Sequence, residues 1–409
     1  MNRAVDGFQV AVVGGGMVGA TLACILARAG IRTALLESRP PVLEWPGDSV
    51  DTRVSALTLT SRTILKTLGV WNAIESCRAG PFRFMRVWDP SYGGELYFDG
   101  ADVGQDILGY IVENRVSVAA LWDFLEKLPE ISVFCPAKVT GIHSTGRDSR
   151  LMLASGESLC AELVVAADGG DSALRAMTGI EVTGWAYGQS ALVATIETEL
   201  AHQETAFQRF LSEGPLAFLP LANGLSSIVW TSLSKTTQRY ADLREDRFVR
   251  ELEISSGGIL GKLTLVGERA MFPLRLQHAR NYFRDHVVLV GDAAHSVHPL
   301  AGQGANMGIL DAAALAESVV AARNRNRPLS GRHTLRRYER WRKGDNLAML
   351  AGMDLLNRLF VHAPPGFGLV RSAGMNLINR NDPIKNFFNR YAMGFRPDLP
   401  SLASGQNCW

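Results

Sequence analysis

Cysteine is scarce: five residues among 409, Cys24, Cys77, Cys135, Cys160 and Cys408, widely scattered and without a C-x-x-C pair. That excludes a disulfide scaffold and a zinc site, and no metal is expected. Nor does the first helix-like segment carry a C-x-x-x-x-C pair, so disulfide reductase chemistry loses its signature. An excess of one charge is missing too. Lys and Arg number 42 against 40 Asp and Glu, a formal net charge of +2, which argues against nucleic acid as the main partner. The uncharged run from Gly7 to Ala27 imitates a membrane span or signal sequence. Its glycine cluster counts against both, and no basic segment with a small-residue cleavage site accompanies it. A cytoplasmic location is expected.

What the chain does have is a dinucleotide fingerprint. Gly14, Gly16 and Gly19 fall in G-x-G-x-x-G spacing, after the apolar run Phe8 to Val13 and before the helix-like segment Met17 to Ala29. The first glycine permits a tight turn, the second lets backbone approach a pyrophosphate, and the third lets the helix pack closely on the sheet. A helix N-terminus at Met17 then faces the phosphates with unpaired N–H groups. Glu37 closes a second apolar run where a carboxylate can accept from ribose hydroxyls and repel a 2′-phosphate, so FAD or NAD is expected rather than NADP.

Further along, Asp48 to Leu68 reads as a polar loop entering an amphipathic helix, with Leu57, Ile64, Leu65 and Leu68 inward. Arg53, in that loop, suits either cofactor phosphates or solvent. Met85 to Phe98 reads as strand with a turn at Gly93-Gly94, and Glu113, Asn114 and Arg115 stand at a helix entry. Val133 to Leu163 looks like short strands. The buried run Leu163 to Ala167 closes in Asp168-Gly169-Gly170, a turn suited to the carboxyl end of a sheet. From Gly184 to about Arg275 the texture is β-rich, with Phe218 and Pro220 between strands. The sheet pattern returns at His286 to Val290, ending in Gly291-Asp292. A glycine-bearing loop from Pro299 to Ala305 then leads into an Ala-rich helix from Asn306. Amides at Gly304, Ala305 and Asn306 would stabilise an anion beside that helix start. His295 and His298 flank the loop and suit either a base or a structural hydrogen bond. Met349 to Phe360 and Pro383 to Tyr391 are amphipathic stripes that suit the core or a membrane surface.

Three blocks coincide: GGGMVGATLACILARAG with Glu37, LVVAADGGDSALR, and LVGDAAHSVHPLAGQGANMGILDA. Together they resemble the single-component FAD-dependent aromatic hydroxylases of the para-hydroxybenzoate hydroxylase fold. DTRVSAL, LGYIVENRV, GWAYGQSALV, GPLAFLPL and RRYERWRKGDNLAMLAGMDLL look like the branch that hydroxylates polyprenylated phenols in ubiquinone biosynthesis. The resemblance implies an α/β fold with a Rossmann-like FAD-binding domain of glutathione-reductase type, discontinuous over 1–75, 105–180 and 276–345. A β-rich substrate domain over 76–104 and 181–275 and a C-terminal helical region over 346–409 complete it.

By that resemblance Gly14, Gly16, Met17, Gly19 and Glu37 hold the ADP half of FAD, with Arg53 and Arg115 near its phosphates and ribityl chain. Asp168 belongs to a motif serving FAD and pyridine nucleotide, Asp292 binds the ribityl hydroxyls, and Gly302, Gly304, Ala305 and Asn306 meet the flavin ring. NADPH or NADH is the transient reductant and O2 the cosubstrate, with oxygen inserted through a flavin C4a-hydroperoxide. Tyr187, Phe218, Pro220, His298 and Pro299 are candidates for contact with a polyprenylated phenol or quinol, and no catalytic base is assigned. Proteins of a ubiquinone-biosynthesis complex, the inner membrane surface and a second copy of the chain are possible partners. The alternatives are a hydroxylase of a soluble phenol, a polyprenyl reductase, a flavin-dependent halogenase and a non-catalytic FAD-binding scaffold. GWAYGQS around Trp185 departs from the halogenase segment G-W-x-W-x-I-P.

Overall fold

The computed structural model describes residues 4–47, 49–297, 302–361 and 367–409. Apolar strands, most of them buried, make the parallel part of an eight-stranded mixed sheet. Its ordered strands are Val287–Leu289, Ser158–Ala166, Ala4–Val13, Thr33–Leu36 and Ile131–Phe134, all parallel. The chain leaves Ala4–Val13 toward Thr33–Leu36 on one side, whereas Ser158–Ala166 lies on the other. The strand order therefore reverses at Ala4–Val13, and a ligand crevice belongs at the carboxyl ends there. Helix Met17–Arg28 covers this sheet with a buried run from Ala20 to Ala27. Against it packs helix Gly304–Arg323, buried on nearly every side, as its apolar composition requires. The contact is close because Gly308 meets Val18: a Cβ on Gly308 would lie 2.5 Å from Val18 Cγ2.

A second eight-stranded sheet runs from His295–Ser296 through Leu263–Ala279, Val182–Thr198, Ser226–Leu233, Gly214–Pro220, Thr205–Leu211 and Phe84–Asp89 to Gly94–Asp99. Its side chains alternate between two faces. Leu192, Leu216, Phe218, Ile228 and Trp230 join Phe248 and Leu252 of helix Glu245–Ser256 in a separate core. Each such side chain, fully buried, contributes about 1.5–3 kcal/mol. The intervening residues, Ala217, Leu219 and Val229, turn the other way.

A three-stranded sheet joins Val54–Thr58, Gly109–Glu113 and Ala79–Phe82. The expected loop before Leu57 is thus partly strand, which ends when Thr58 Oγ1 accepts the Ser61 N–H at 3.2 Å and caps helix Leu59–Leu68. Helix Arg332–Val361 absorbs the first C-terminal stripe and helix Asp382–Ala392 the second; helix Phe367–Asn379 lies between them. The edge strand Gly94–Asp99 does not end in open backbone. Asn376 Oδ1 accepts the Glu95 N–H at 3.1 Å, Asn379 Oδ1 accepts the Tyr97 N–H at 3.0 Å, and Asn389 Nδ2 donates to Asp99 O at 3.0 Å.

Candidate functional site

The glycines divide their work as the spacing predicts. Gly14 has φ +110°, and a Cβ there would lie 2.3 Å from Ala167 O on the neighbouring strand. At Gly19 it would lie 1.9 Å from Gly14 O, whereas at Gly16 it meets nothing within 4 Å. Gly16 is the one position of the three open to a ligand. No side chain caps helix Met17–Arg28, so its first-turn N–H groups are left for one. Gly15, which the spacing leaves undetermined, is packed rather than flexible. Its N–H donates to Glu37 Oε2 at 2.6 Å, its carbonyl accepts the Trp122 indole N–H at 2.8 Å, and a Cβ would collide with Trp122.

Gly14, Gly16, Glu37 and Asp168 line one cleft of about 470 Å³ at the strand-order reversal. Glu37 also accepts the Arg39 N–H at 2.9 Å, and a carboxylate has lone pairs left for ribose hydroxyls. Asp168 is held by Ser172 Oγ at 2.5 Å and the Leu174 N–H at 3.2 Å, so it orders its own turn within the cleft. Arg175, buried beneath, donates to Gly170 O and Ala293 O, both at 2.8 Å, and ties this turn to the Gly291-Asp292 turn.

Asp292, in the turn after strand Val287–Leu289, keeps an exposed side chain although protein groups crowd around its carboxyl. Burial lifts its carboxyl above the usual range against the opposing charges of His295, Arg275 and Arg53. A Cβ on Gly304 would lie 4.0 Å from Asp292 Oδ1, so the carboxylate stands beside the start of helix Gly304–Arg323. That end has no side-chain cap. Asn306 uses its side chain structurally: Nδ2 donates to Ala56 O at 2.7 Å, and Oδ1 accepts from the Thr58 N–H at 2.9 Å and Ser61 Oγ at 2.7 Å. Its backbone N–H remains with those of Gly304 and Ala305 at the first turn.

A buried network supports this end. Asp311 accepts from His295 Nε2 at 2.6 Å, Arg342 Nε at 2.8 Å, Asn346 Nδ2 at 3.1 Å and the Gly291 N–H at 3.1 Å. Burial alone would raise its pKa, but the charges and hydrogen bonds of His295 and Arg342 outweigh it and hold the carboxyl at about 2. His295 is therefore a structural anchor.

Of the two arginines, Arg53 lies 4.5 Å above the Phe272 ring with its charge acting on Asp292. Arg115 is engaged elsewhere, by Glu113 at 2.7 Å and Ser49 Oγ at 3.0 Å, and clamps the segment around Ser49.

The structure sets the substrate candidates apart from the apolar cavity between the sheets. An apolar cavity of about 190 Å³ lies between the sheets, walled by Ala206, Gln208, Ala217, Leu219 and Val229 on one side. Ala56, Leu57, Thr58, Gly302 and Gln303 form another wall, and Asn389 and Ala392 of helix Asp382–Ala392, with Met393 just after it, border it. Phe218 and Pro220 do not line it. They occupy the opposite face of strand Gly214–Pro220, because neighbours along a strand point to opposite sides. Tyr187 does not line it either: its hydroxyl donates to Asp354 Oδ1 at 3.0 Å. Burial and that carboxylate push the phenol pKa up. His298 and Pro299 lie outside the described residues.

The group these residues fit is a dinucleotide with an anionic ring at its far end. A family model described as FAD binding domain matches residues 7–343. The chain belongs to the FAD binding domain family. FAD is thus the cofactor, and the Gly16 gap, the two uncapped helix starts and the carboxylates Glu37 and Asp292 are the groups that would hold it. The FAD binding domain protein is 35% identical over 386 residues to the 3-demethoxyubiquinol 3-hydroxylase of Escherichia coli, covering 94% of this chain and 98% of that one. It is 37% identical over 400 residues to the ubiquinone hydroxylase UbiL of Rhodospirillum rubrum, covering 97% and 92%. The mitochondrial ubiquinone biosynthesis monooxygenase COQ6 of Homo sapiens is 34% identical over 433 aligned positions, covering 94% and 92%. Among solved structures, p-nitrophenol 4-monooxygenase from Pseudomonas putida superposes with a TM-score of 0.79 at 21% identity, covering 97% of this chain and all of that one. The fold expected from the three flavin blocks is therefore the fold observed.

Proposed function

We propose that this protein is an FAD-dependent monooxygenase that hydroxylates the aromatic ring of a polyprenylated phenol or quinol in ubiquinone biosynthesis. The names of its relatives support the reaction, and one observation carries the substrate: the apolar cavity shares Gly302 and Gln303 with the loop leading into helix Gly304–Arg323. When bound, FAD supplies oxygen insertion, with NADPH or NADH as reductant and O2 as cosubstrate. The protein's part is to hold the ring beside that helix start and to keep water out with Ala56, Leu57, Ala217, Leu219 and Met393. The uncapped N–H groups of the first turn stabilise negative charge there.

The same reading gives the C-terminal helices a membrane role. Helix Asp382–Ala392 lends Asn389 and Ala392 to the cavity and exposes Ile384, Phe387 and Phe388. Leu369, Val370 and Leu377 of helix Phe367–Asn379 are also exposed, each by more than 60%. Exposed apolar side chains on these helices, with Arg390 on the second and Arg380 in the turn between them, suit the surface of an anionic bilayer, from which a prenyl tail would enter. Gly304–Arg323 is long and apolar enough to cross a membrane, but most of it is buried in the fold.

The test supplies 2-farnesylphenol and 18O2 to the FAD-loaded protein and follows NAD(P)H oxidation, O2 uptake and product mass. One labelled oxygen on the ring is the expected result. NAD(P)H oxidation without incorporation, together with failure to complement strains lacking each ring hydroxylase, would refute the proposal.

A further inference from the structure

In the middle of strand Thr205–Leu211, Gln208 lines the apolar cavity and is only 8% exposed. In register beside it lie Val87 on one strand and Ala217 on the other, with Val229 beyond. Yet the Gln208 amide makes no side-chain hydrogen bond among the described residues, while other polar groups of the wall are paired. Gln303 Nε2 donates to Ala392 O, Asn389 Nδ2 to Asp99 O, and Thr58 Oγ1 is bonded to Ser61. Thr231 also stands in the wall without a bond, but it has one hydroxyl to satisfy against two donors and a carbonyl on Gln208. The amide is left to whatever enters the cavity, and its apolar neighbours show that a hydrocarbon side chain suits the position.

We propose that Gln208 is the group that recognises the ring oxygen of the aromatic substrate. It can accept from a phenol O–H or donate to a phenolate oxygen. A ring held by its oxygen at Gln208 has its position relative to Gly302 and Gln303 fixed. This rests on the cavity being the substrate site, as proposed above. A site built to hydrogen-bond a hydroxyl also rejects the analogue that lacks it, because its polar group then stays unpaired.

The experiment titrates the FAD-loaded protein with 2-farnesylphenol and with farnesylbenzene, which lacks only the hydroxyl, reading the change in flavin absorbance. The wild type should bind the phenol at least about fivefold tighter, the ratio that a hydrogen bond of about 1 kcal/mol gives. Gln208→Leu should erase that preference by weakening the phenol alone, with farnesylbenzene bound as before or better. Should Gln208→Leu fail to retain flavin, the unbranched Gln208→Met replaces it. A preference surviving both substitutions overturns the assignment of Gln208 while leaving the cavity intact. If neither compound perturbs the wild-type flavin, the cavity itself is wrong and Gln208 falls with it.

Discussion

Replacing Gly16 by Ala should strip FAD from the protein while leaving the polypeptide folded. The backbone there has φ −69° and ψ −178°, extended values that any residue adopts, and the added methyl meets no protein atom within 4 Å. The cost to the apoprotein is then the small loss of a glycine N-cap, offset by a stiffer unfolded chain, together within about 1 kcal/mol. Toward a pyrophosphate in van der Waals contact with Gly16 the same methyl is an overpacking defect of about 1–3 kcal/mol. At 1.4 kcal/mol per decade that weakens FAD binding about 5- to 150-fold. Gly19→Ala is the contrast: its Cβ would lie 1.9 Å from Gly14 O, so the fold itself must yield. Quenching of flavin fluorescence gives Kd, and thermal melting of the apoproteins gives stability. A Gly16→Ala protein with wild-type Kd, or one whose apoprotein melts as low as Gly19→Ala, would refute the assignment of the pyrophosphate to this glycine.

Asp311→Ala leaves Arg342, His295 and Asn346 buried without their shared acceptor, a loss of about 3–5 kcal/mol. The melting temperature should fall by about 4–6 °C, and an unchanged midpoint contradicts the network's role. Burial first, then the charges of His295 and Lys343, lower the His278 pKa to about 4 from 6.5. The unfolded chain therefore binds a proton that the folded one refuses, and stability should drop by up to about 3 kcal/mol as pH falls from 6.5 to 4. His278→Gln should flatten that slope; an identical pH profile for the variant counts against it. Asp311 is shifted in the same direction, by its charged partners rather than by burial, so its contribution is complete above pH 3.8 and disappears only as pH falls toward 2. The double substitution Phe387→Ser with Phe388→Ser should abolish co-flotation with anionic liposomes without lowering the melting temperature; flotation at wild-type levels refutes membrane docking by this helix.

The flavin half of the site was legible because its signals are local. A turn, an open backbone position and a close-packed helix need particular glycines at fixed short spacings, and Gly14, Gly16 and Gly19 supply them within six residues. The substrate half was not, because a strand's period of two gives the alternation but not its phase. Pro215, Ala217 and Leu219 line the cavity, while Phe218 and Pro220, which look more like substrate contacts, face the opposite way. Choosing between the faces needs helices Ser234–Asp242 and Glu245–Ser256 placed on the sheet. Asp311 was hidden for another reason: its partner Arg342 lies 31 residues away on a different helix, in a stretch that reads as solvated basic surface. Arg115 shows the converse. Its position at a helix entry was readable, but its engagement with Glu113 and Ser49 depends on how a loop some sixty residues earlier folds back.

The asparagines of the C-terminal helices bear on how the protein behaves in a crowded cell. Asn376 and Asn379 take up N–H groups that strand Gly94–Asp99 would otherwise offer to any extended chain passing by. Losing the helices would do more than trim the surface, since the rim of the second sheet would then stand ready to recruit other molecules strand by strand. Asn376, Asn379 and Asn389 thereby seal that border with side chains instead of a further strand.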